Sequence, residues 1–399
     1  MGELERIRYR PISIRELLTE MKDTSELMID LAYSAALFDS KELAEEVLEL
    51  ESYVDNLAYL LTMNAMLAAR DAEDAETLLS VTMVANAADK ISDAAADMTI
   101  IVLKGIGVHP LIRRAFQKVE EHLTRVKVEA DSFFVDKTVG ELKLAPAMGV
   151  DVIAIHRGRK WIIDPDDDEV IREGDILIAR GAPGGIDEFE EAAGGEMEGS
   201  EGEGIMTMSP EVSETLVKKL VELKNTSELM LDLAYSALLL NSKELAEEVE
   251  RLEEYMDDLH TEFELLALSS GFSPKESKDF LGLIRLGVVT ETIADAAAQI
   301  AEVVLRGLKP HPILQKVIEE ADETVIRVEI TENSTLTGKK LREAKIPERT
   351  GMWVLAIRRG GKWIRPKPDT VLQAGDVIIA SGYAEGEEDL TQLAIGQKQ

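Results

Sequence analysis

The chain has 399 residues, 45% of them hydrophobic, no cysteine and a formal net charge of −33. That length exceeds what one core usually supports, so several domains are expected. The acidic balance argues against nucleic-acid binding, which depends on clustered Lys and Arg, and favours cations or basic partners. Without cysteine there are no disulfides, thiolate metal sites or cysteine nucleophiles, which leaves carboxylates, five histidines and hydroxyls to carry any chemistry.

From Ser13 onward apolar residues recur at three- and four-residue spacing, as in Leu17, Met21, Leu27 and Leu31, which predicts a helix. Asp39 and Ser40 end it and cap a second helix, whose stripe runs through Leu43, Val47, Leu50, Val54, Leu57 and Leu61. Residues 70–74 mark the next break, and a third helix runs to Lys104, where Gly105 and Gly107 stop it. A short helix over about 110–121 follows His109 and Pro110. The pattern then changes to alternating and β-branched residues over 124–130, 150–163 and 175–180, which predicts strands, with a hairpin at Arg157-Gly158-Arg159 and room for one short helix at 137–142.

The whole plan then repeats. Residues 22–57 and 224–259 are identical at 26 of 36 positions without a gap, and the offset of 202 also aligns His109-Pro110 with His311-Pro312. It slips by one at Gly174-Asp175 and Gly375-Asp376. The second copy has its helix break at 270–277, its hairpin at Arg359-Gly360-Gly361 and its short helix at 339–344. The predicted architecture is α+β multidomain: helical domains at 1–121 and 210–320 alternate with small β-rich α+β domains at 122–193 and 321–399. Residues 194–209, rich in Gly, Glu and Ser, read as a flexible linker that reaches some 50 Å at about 3.5 Å per residue. No stretch approaches the roughly 18 apolar residues of a membrane span, and the N-terminus lacks a signal-peptide core. A soluble, cytoplasmic chain without direct membrane insertion is expected.

Each helical copy carries acidic pairs four residues apart on two helices: Glu51 with Asp55 and Asp89 with Asp93, then Glu253 with Asp257 and Glu291 with Asp295. Four residues turn a helix by about 400°, so both carboxylates of a pair project from one face. Two such helices side by side offer four oxygen ligands to a hard or borderline cation. The same spacing also arises on a plain solvated acidic face, and duplication preserves either. The flanking Ala94–Ala96 and Ala296–Ala298 make the third-helix pairs the better candidates. His109 and His311 read as turn or cap residues. His122, His156 and His260 have no counterpart in the other copy, and Trp161 and Trp363 read as core or interface anchors. There is no dinucleotide fingerprint, P-loop or nucleophile elbow, so no catalytic residue is assigned.

The helical stretch, with its DLAYSA segment and acidic pairs, resembles the PhoU family, and the resemblance implies three-helix units whose E/D-x-x-x-D motifs bind iron, zinc or other cations. The β-rich stretch, with Arg157 to Pro165 and Gly174-Asp175-Ile176, then Arg359 to Pro366 and Gly375-Asp376-Val377, resembles the TrkA C-terminal, or RCK C-terminal, domain of potassium-transport regulators. The combination, twice over, is similar to archaeal potassium-channel-associated proteins that join the two domain types. That resemblance implies a non-enzymatic regulatory subunit that binds a small effector, with cyclic di-AMP the candidate, or a divalent or ferric cation. It would relay the signal to a membrane cation channel or transporter. The nucleotide-binding N-terminal half of RCK proteins is missing, which argues against the usual control by NAD or ATP. The alternatives are a PhoU-like metal-binding adaptor in phosphate-transport regulation and a carboxylate-bridged metal oxidase or hydrolase. The families implied usually pair as homodimers, so this chain is expected to supply both halves as an internal pseudo-dimer, or to form a homo-oligomer. Residues 164–169 are acidic where 366–370 are not, so any shared effector site is expected to be asymmetric.

Overall fold

A computed structural model describes residues 7–106, 109–194, 209–271, 276–308, 310–360, 362–364 and 366–396. Almost all of the expected linker, the centre of the 270–277 break, and Gly107, Gly361 and Arg365 lie outside them.

The first helical repeat is α1 (Ile14–Leu37), α2 (Lys41–Ala68), α3 (Ala72–Leu103) and α4 (Pro110–Phe116). The capping residues set the boundaries. Ser13, Ser40 and Asp71 accept backbone N–H groups of Glu16, Leu43 and Asp74, satisfying donors that have no partner inside the first helical turn. His109 caps α4: its Nδ1 accepts the Leu111 N–H at 3.1 Å, and Pro110 follows at the position where a missing N–H costs nothing. The apolar stripes face inward: Leu17, Met21, Met28 and Leu31 of α1 and Leu43, Val47, Val54 and Leu61 of α2 are at most 1% exposed. Helix α4 is shorter than expected, because the chain turns at Gln117 and enters a strand at His122.

The first β-rich repeat comprises β1 (His122–Lys127), α5 (Val139–Leu142), α6 (Leu144–Met148), β2 (Val150–Arg157), β3 (Lys160–Ile163), β4 (Ile176–Gly181) and α7 (Pro183–Ala193). All pairings are antiparallel, in the order β1-β4-β2-β3. The helix α7 covers one face of this sheet: Ile186 and Phe189 join Val126, Phe134, Leu177 and Ile155 in a single core.

The second copy repeats every element: α8 (Pro210–Leu240), α9 (Lys243–Ser269), α10 (Ser277–Leu305), α11 (Pro312–Glu319), β5 (Glu323–Glu329), α12 (Leu341–Ala344), α13 (Ile346–Thr350), β6 (Met352–Arg359), β7 (Lys362–Ile364), β8 (Val377–Tyr383) and α14 (Glu387–Ile395). Its sheet has the order β5-β8-β6-β7, and both sheets carry a register shift at the same place, Val152/Ala154 and Val354/Ala356. His311 caps α11 as His109 caps α4. Sequence periodicity places the strands and long helices but misses α6, α13, α7 and α14. The first two are single turns too short to show a period, and α7 and α14 follow their strands after only a residue or a short turn.

Domains pair by type. The two helical repeats form one compact unit and the two β-rich repeats form another. In the helical unit α3 packs along α10 as well as against α1 and α2.

Candidate metal centre

Helices α2 and α3 lie side by side and bring the first set of acidic residues together. Glu51, Asp55 and Asp93 each place a carboxylate oxygen within 4.8 Å of the others. Asp89, one turn before Asp93, borders the group. Burial pushes its carboxyl up to about 6, and the charges of Asp93, Asp55 and Glu51 add to the effect. Glu51 and Asp93 are also raised, first by burial and then by their acidic neighbours. The second copy builds the same arrangement: Glu253, Asp257 and Asp295 lie within the same 4.8 Å limit. Glu291 borders them, its carboxyl raised by burial and then by Asp295 and Asp257. Glu253 is raised for the same reasons.

Three residues of each predicted quartet therefore converge tightly, and the fourth stands beside them. Like charges at this spacing repel, and a cation among them would replace that repulsion with attraction. The donor set is entirely carboxylate oxygen, which fits a hard cation such as Mg²⁺, Mn²⁺, Ca²⁺ or Fe³⁺. Such a cation would draw the two helices together through Glu51 and Asp55 on one side and Asp93 on the other. The alanines beside Asp93, Ala94–Ala96, are buried, whereas Asp93 itself is exposed.

Two participants escaped the sequence reading. Asp97 continues the four-residue row from Asp93 and acts on both Asp93 and Glu51, so the spacing alone was sufficient to find it. Lys90 donates to Asp295 Oδ2 at 2.7 Å, and no local pattern signals a contact between residues 205 positions apart.

In the β-rich unit, the Arg and Gly-Asp motifs form structural clamps. Arg157 grips Asp175 through Nε and Nη2 at 2.9 and 2.8 Å and donates to Val170 O at 2.6 Å. Arg359 does the same with Asp376, at 2.7 Å for both bonds, and with Val371 O. Both aspartates are 1% exposed and also accept a backbone N–H, from Arg172 and Gln373. These clamps tie the end of one strand to the turn before β4 or β8. Trp161 is half-buried and stacks on His156, with centroids 4.6 Å apart.

The two β-rich repeats meet through α6 and α13. Gly149 ends α6 at φ +66°, and a Cβ there would come within 2.2 Å of Pro347 O, so the close approach of the copies requires glycine. Nearby, the buried Arg180 pairs with Asp151 at 3.2 Å and Glu323 at 2.5 Å, and its guanidinium lies 5.3 Å from the Tyr383 ring centroid. The Tyr383 hydroxyl donates to Glu121 at 2.8 Å. Asp164 is pushed up to about 6 by burial, with Asp322 and Asp151 adding to it. This polar network draws on both copies and is asymmetric, since Ser381 and Trp353 stand where the first copy has Arg180 and Asp151.

The architecture is thus that of a duplicated protein in which a carboxylate-bearing helical bundle alternates with a small antiparallel β-rich module. The PhoU domain model matches residues 18–102 and 220–304, and the TrkA-C domain model matches 123–194 and 325–394. The chain belongs to the proteins that carry PhoU and TrkA-C domains in tandem, here each present twice. It is 34% identical over 84 residues to potassium channel protein 1 of Methanocaldococcus jannaschii, which is 21% of this chain and 25% of that protein. It is 37% identical over 71 residues to the Ktr system potassium uptake protein C of Bacillus subtilis, 18% of this chain and 32% of that protein. The chain therefore spans a quarter to a third of the length of these relatives. A solved structure, PhoU from Pseudomonas aeruginosa, aligns over 74% of this chain and 96% of its own, at 14% identity and a TM-score of 0.40. Among the described residues no helix is long and apolar enough to cross a membrane.

Proposed function

We propose that this chain is a non-catalytic regulatory subunit of potassium or other cation transport, which binds a small effector or a cation and relays it to a membrane channel or transporter. The observation that carries the reading is the pairing of the two TrkA-C copies through α6 and α13 in one unit. A ligand held between two such domains favours one relative arrangement over another and so shifts a population. The similarity to a potassium channel protein and a potassium uptake protein supports potassium as the transported ion. The asymmetry around Arg180 implies one effector site with two unlike halves. Cyclic di-AMP is the first candidate, because the family resemblance suggests it.

A thermal-shift screen of the full chain with cyclic di-AMP, ATP, NADH, Mg²⁺, Zn²⁺ and Fe³⁺ tests the reading, because a ligand of the native state stabilises it by mass action. Stabilisation by a nucleotide, lost in an Arg180→Leu variant, is the expected result. No response to any nucleotide, together with co-purification of a phosphate transporter, would favour the second reading, a metal-binding adaptor in phosphate-transport regulation. That alternative draws on the acidic clusters assembled in both PhoU copies.

A further inference from the structure

The fourth helix of each repeat, α4 or α11, is the last helical element before a strand. Helix α4 ends at Phe116 and β1 begins at His122, while α11 ends at Glu319 and β5 begins at Glu323. Each of these connectors is held chiefly by the other copy. Helix α4 packs on α8, where Arg114 donates to Ser213 Oγ at 2.6 Å and to Glu214 Oε2 at 3.0 Å, and Lys118 donates to Glu214 Oε1 at 2.9 Å. Its cap residue His109 meets Phe280 of α10 edge to face, with centroids 4.7 Å apart. Within its own copy, Phe116 meets the Tyr33 ring of α1 at 4.9 Å. Helix α11 packs on α1, and more lightly on α8 of its own copy. Arg15 Nη1 of α1 donates to both carboxylate oxygens of Glu320, the residue after α11, at 2.6 and 2.8 Å. The His311 N–H donates to Ser80 Oγ of α3 at 3.2 Å.

The two attachments have opposite polarity. In one the connector carries the cations and α8 the carboxylate, and in the other the connector carries the carboxylate and α1 the cation. Lys118 corresponds to Glu320, Glu214 to Ile12 and Arg15 to Val217. Docked on its own copy in the equivalent way, α4 would bring Lys118 to Arg15, and α11 would set Glu320 beside Glu214, with Lys316 left to offset it. The five paired side chains are 39–48% exposed, so these pairs add little stability. Apolar burial supplies the hold: Leu111, Ile112 and Ala115 are at most 1% exposed, and Leu314, Val317 and Ile318 at most 2%. What the charges supply is the choice of surface, by attraction in the crossed arrangement and repulsion in the uncrossed one. We propose that charge crosses the two connectors, so that each helical repeat acts on the β-rich repeat of the other copy: α8 reaches β1 through α4, and α1 reaches β5 through α11. This deepens the relay in the proposed function by giving its route, and it depends on no particular effector.

Hydrogen–deuterium exchange of the full chain, without added ligand, tests this, because amide exchange reads local opening segment by segment. Glu214→Arg in α8 sets a like charge against Arg114 and Lys118. It should speed exchange over residues 110–127 roughly fivefold, the scale of an exposed ion pair, and leave 312–329 near the wild-type rate. Arg15→Glu in α1 should do the reverse, loosening 312–329 and sparing 110–127. Adding Arg114→Glu and Lys118→Glu to Glu214→Arg restores the pairing with its polarity inverted, and should return 110–127 towards the wild-type rate. Circular dichroism identifies any variant that fails to fold, and Glu214→Gln and Arg15→Gln then give the same two patterns at smaller amplitude. Faster exchange in the connector of the substituted repeat, equal loosening of both connectors, or no change in either would overturn the crossing. With no effector present, that failure would leave the ligand reading standing, and an unresponsive ligand screen would leave the crossing standing.

Discussion

In the helical unit the caps and the acidic triads are kept in both copies: Ser40 and Ser242 cap α2 and α9, His109 and His311 cap α4 and α11, and each acidic triad has its counterpart, although Lys90 reaches Asp295 across the seam while the equivalent Thr292 bonds its own helix. In the β-rich unit the internal clamps are kept, Arg157 on Asp175 and Arg359 on Asp376, but the residues at which the copies meet are not. Arg180 and Asp151 of one copy correspond to Ser381 and Trp353 of the other. The difference follows from covalent linkage. A homodimer interface is self-complementary, so each residue must serve both sides of the twofold axis. Once the halves are fused, each surface meets one known partner, and a positive centre can be fitted to a negative one. What each copy needs in order to fold stays duplicated, and what faces the other copy is free to diverge.

The sharpest way to break this comparison is at Arg180. Arg180→Leu removes a buried guanidinium that pairs with Asp151 and Glu323, and should destabilise the chain by roughly 3 kcal/mol, the lower end for breaking a buried pair, since Asp151 remains 38% exposed. A lower urea midpoint is the readout. Ser381→Leu at the matching position removes no charge, and an equal loss there would contradict the asymmetry.

A somewhat smaller effect separates two glycines with similar backbones. Gly149→Ala and Gly105→Ala both force alanine into a left-handed conformation, at about 1–2 kcal/mol. Only the first also drives a Cβ into Pro347 O of the other copy, whereas Gly105 has nothing within 4 Å. Gly149→Ala should therefore cost at least about 1 kcal/mol more, as overpacking does. Equal losses would mean that the copies do not meet there.

The smallest effect is a pH dependence. Asp89 is pushed up to about 6 in the folded chain from the ordinary aspartate value of 3.8, so between these values the folded state holds more protons than the unfolded one. Its contribution to stability is then lost as pH rises through that window, by an amount below about 1 kcal/mol after solvent screening. Asp89→Asn should flatten this slope in thermal melts at pH 4 to 7. A slope unchanged by the substitution would remove Asp89 from the cluster.

Much of the fold was legible because duplication shows each signal twice. Caps at Ser40, His109 and His311 and the alternation around β2 and β4 are local, and local rules found them. The short helices α6 and α13 were not visible, because a single turn has no period. They are the elements at which the β-rich copies meet, so the interface was hidden with them. The acidic triads were legible as i, i+4 pairs, and Asp97 followed the same rule. Lys90 and Arg180 act across seams between copies, and a contact of that kind depends on packing that no local pattern encodes.

The cation-site reading is tested most directly by equilibrium dialysis of the full chain against Mn²⁺, comparing the wild type with an Asp93→Ala, Asp295→Ala double variant. Bound Mn²⁺ in the wild type and its loss in the double variant is the predicted result. Equal metal content in the two proteins would contradict the account and leave the acidic pairs as solvated helix faces.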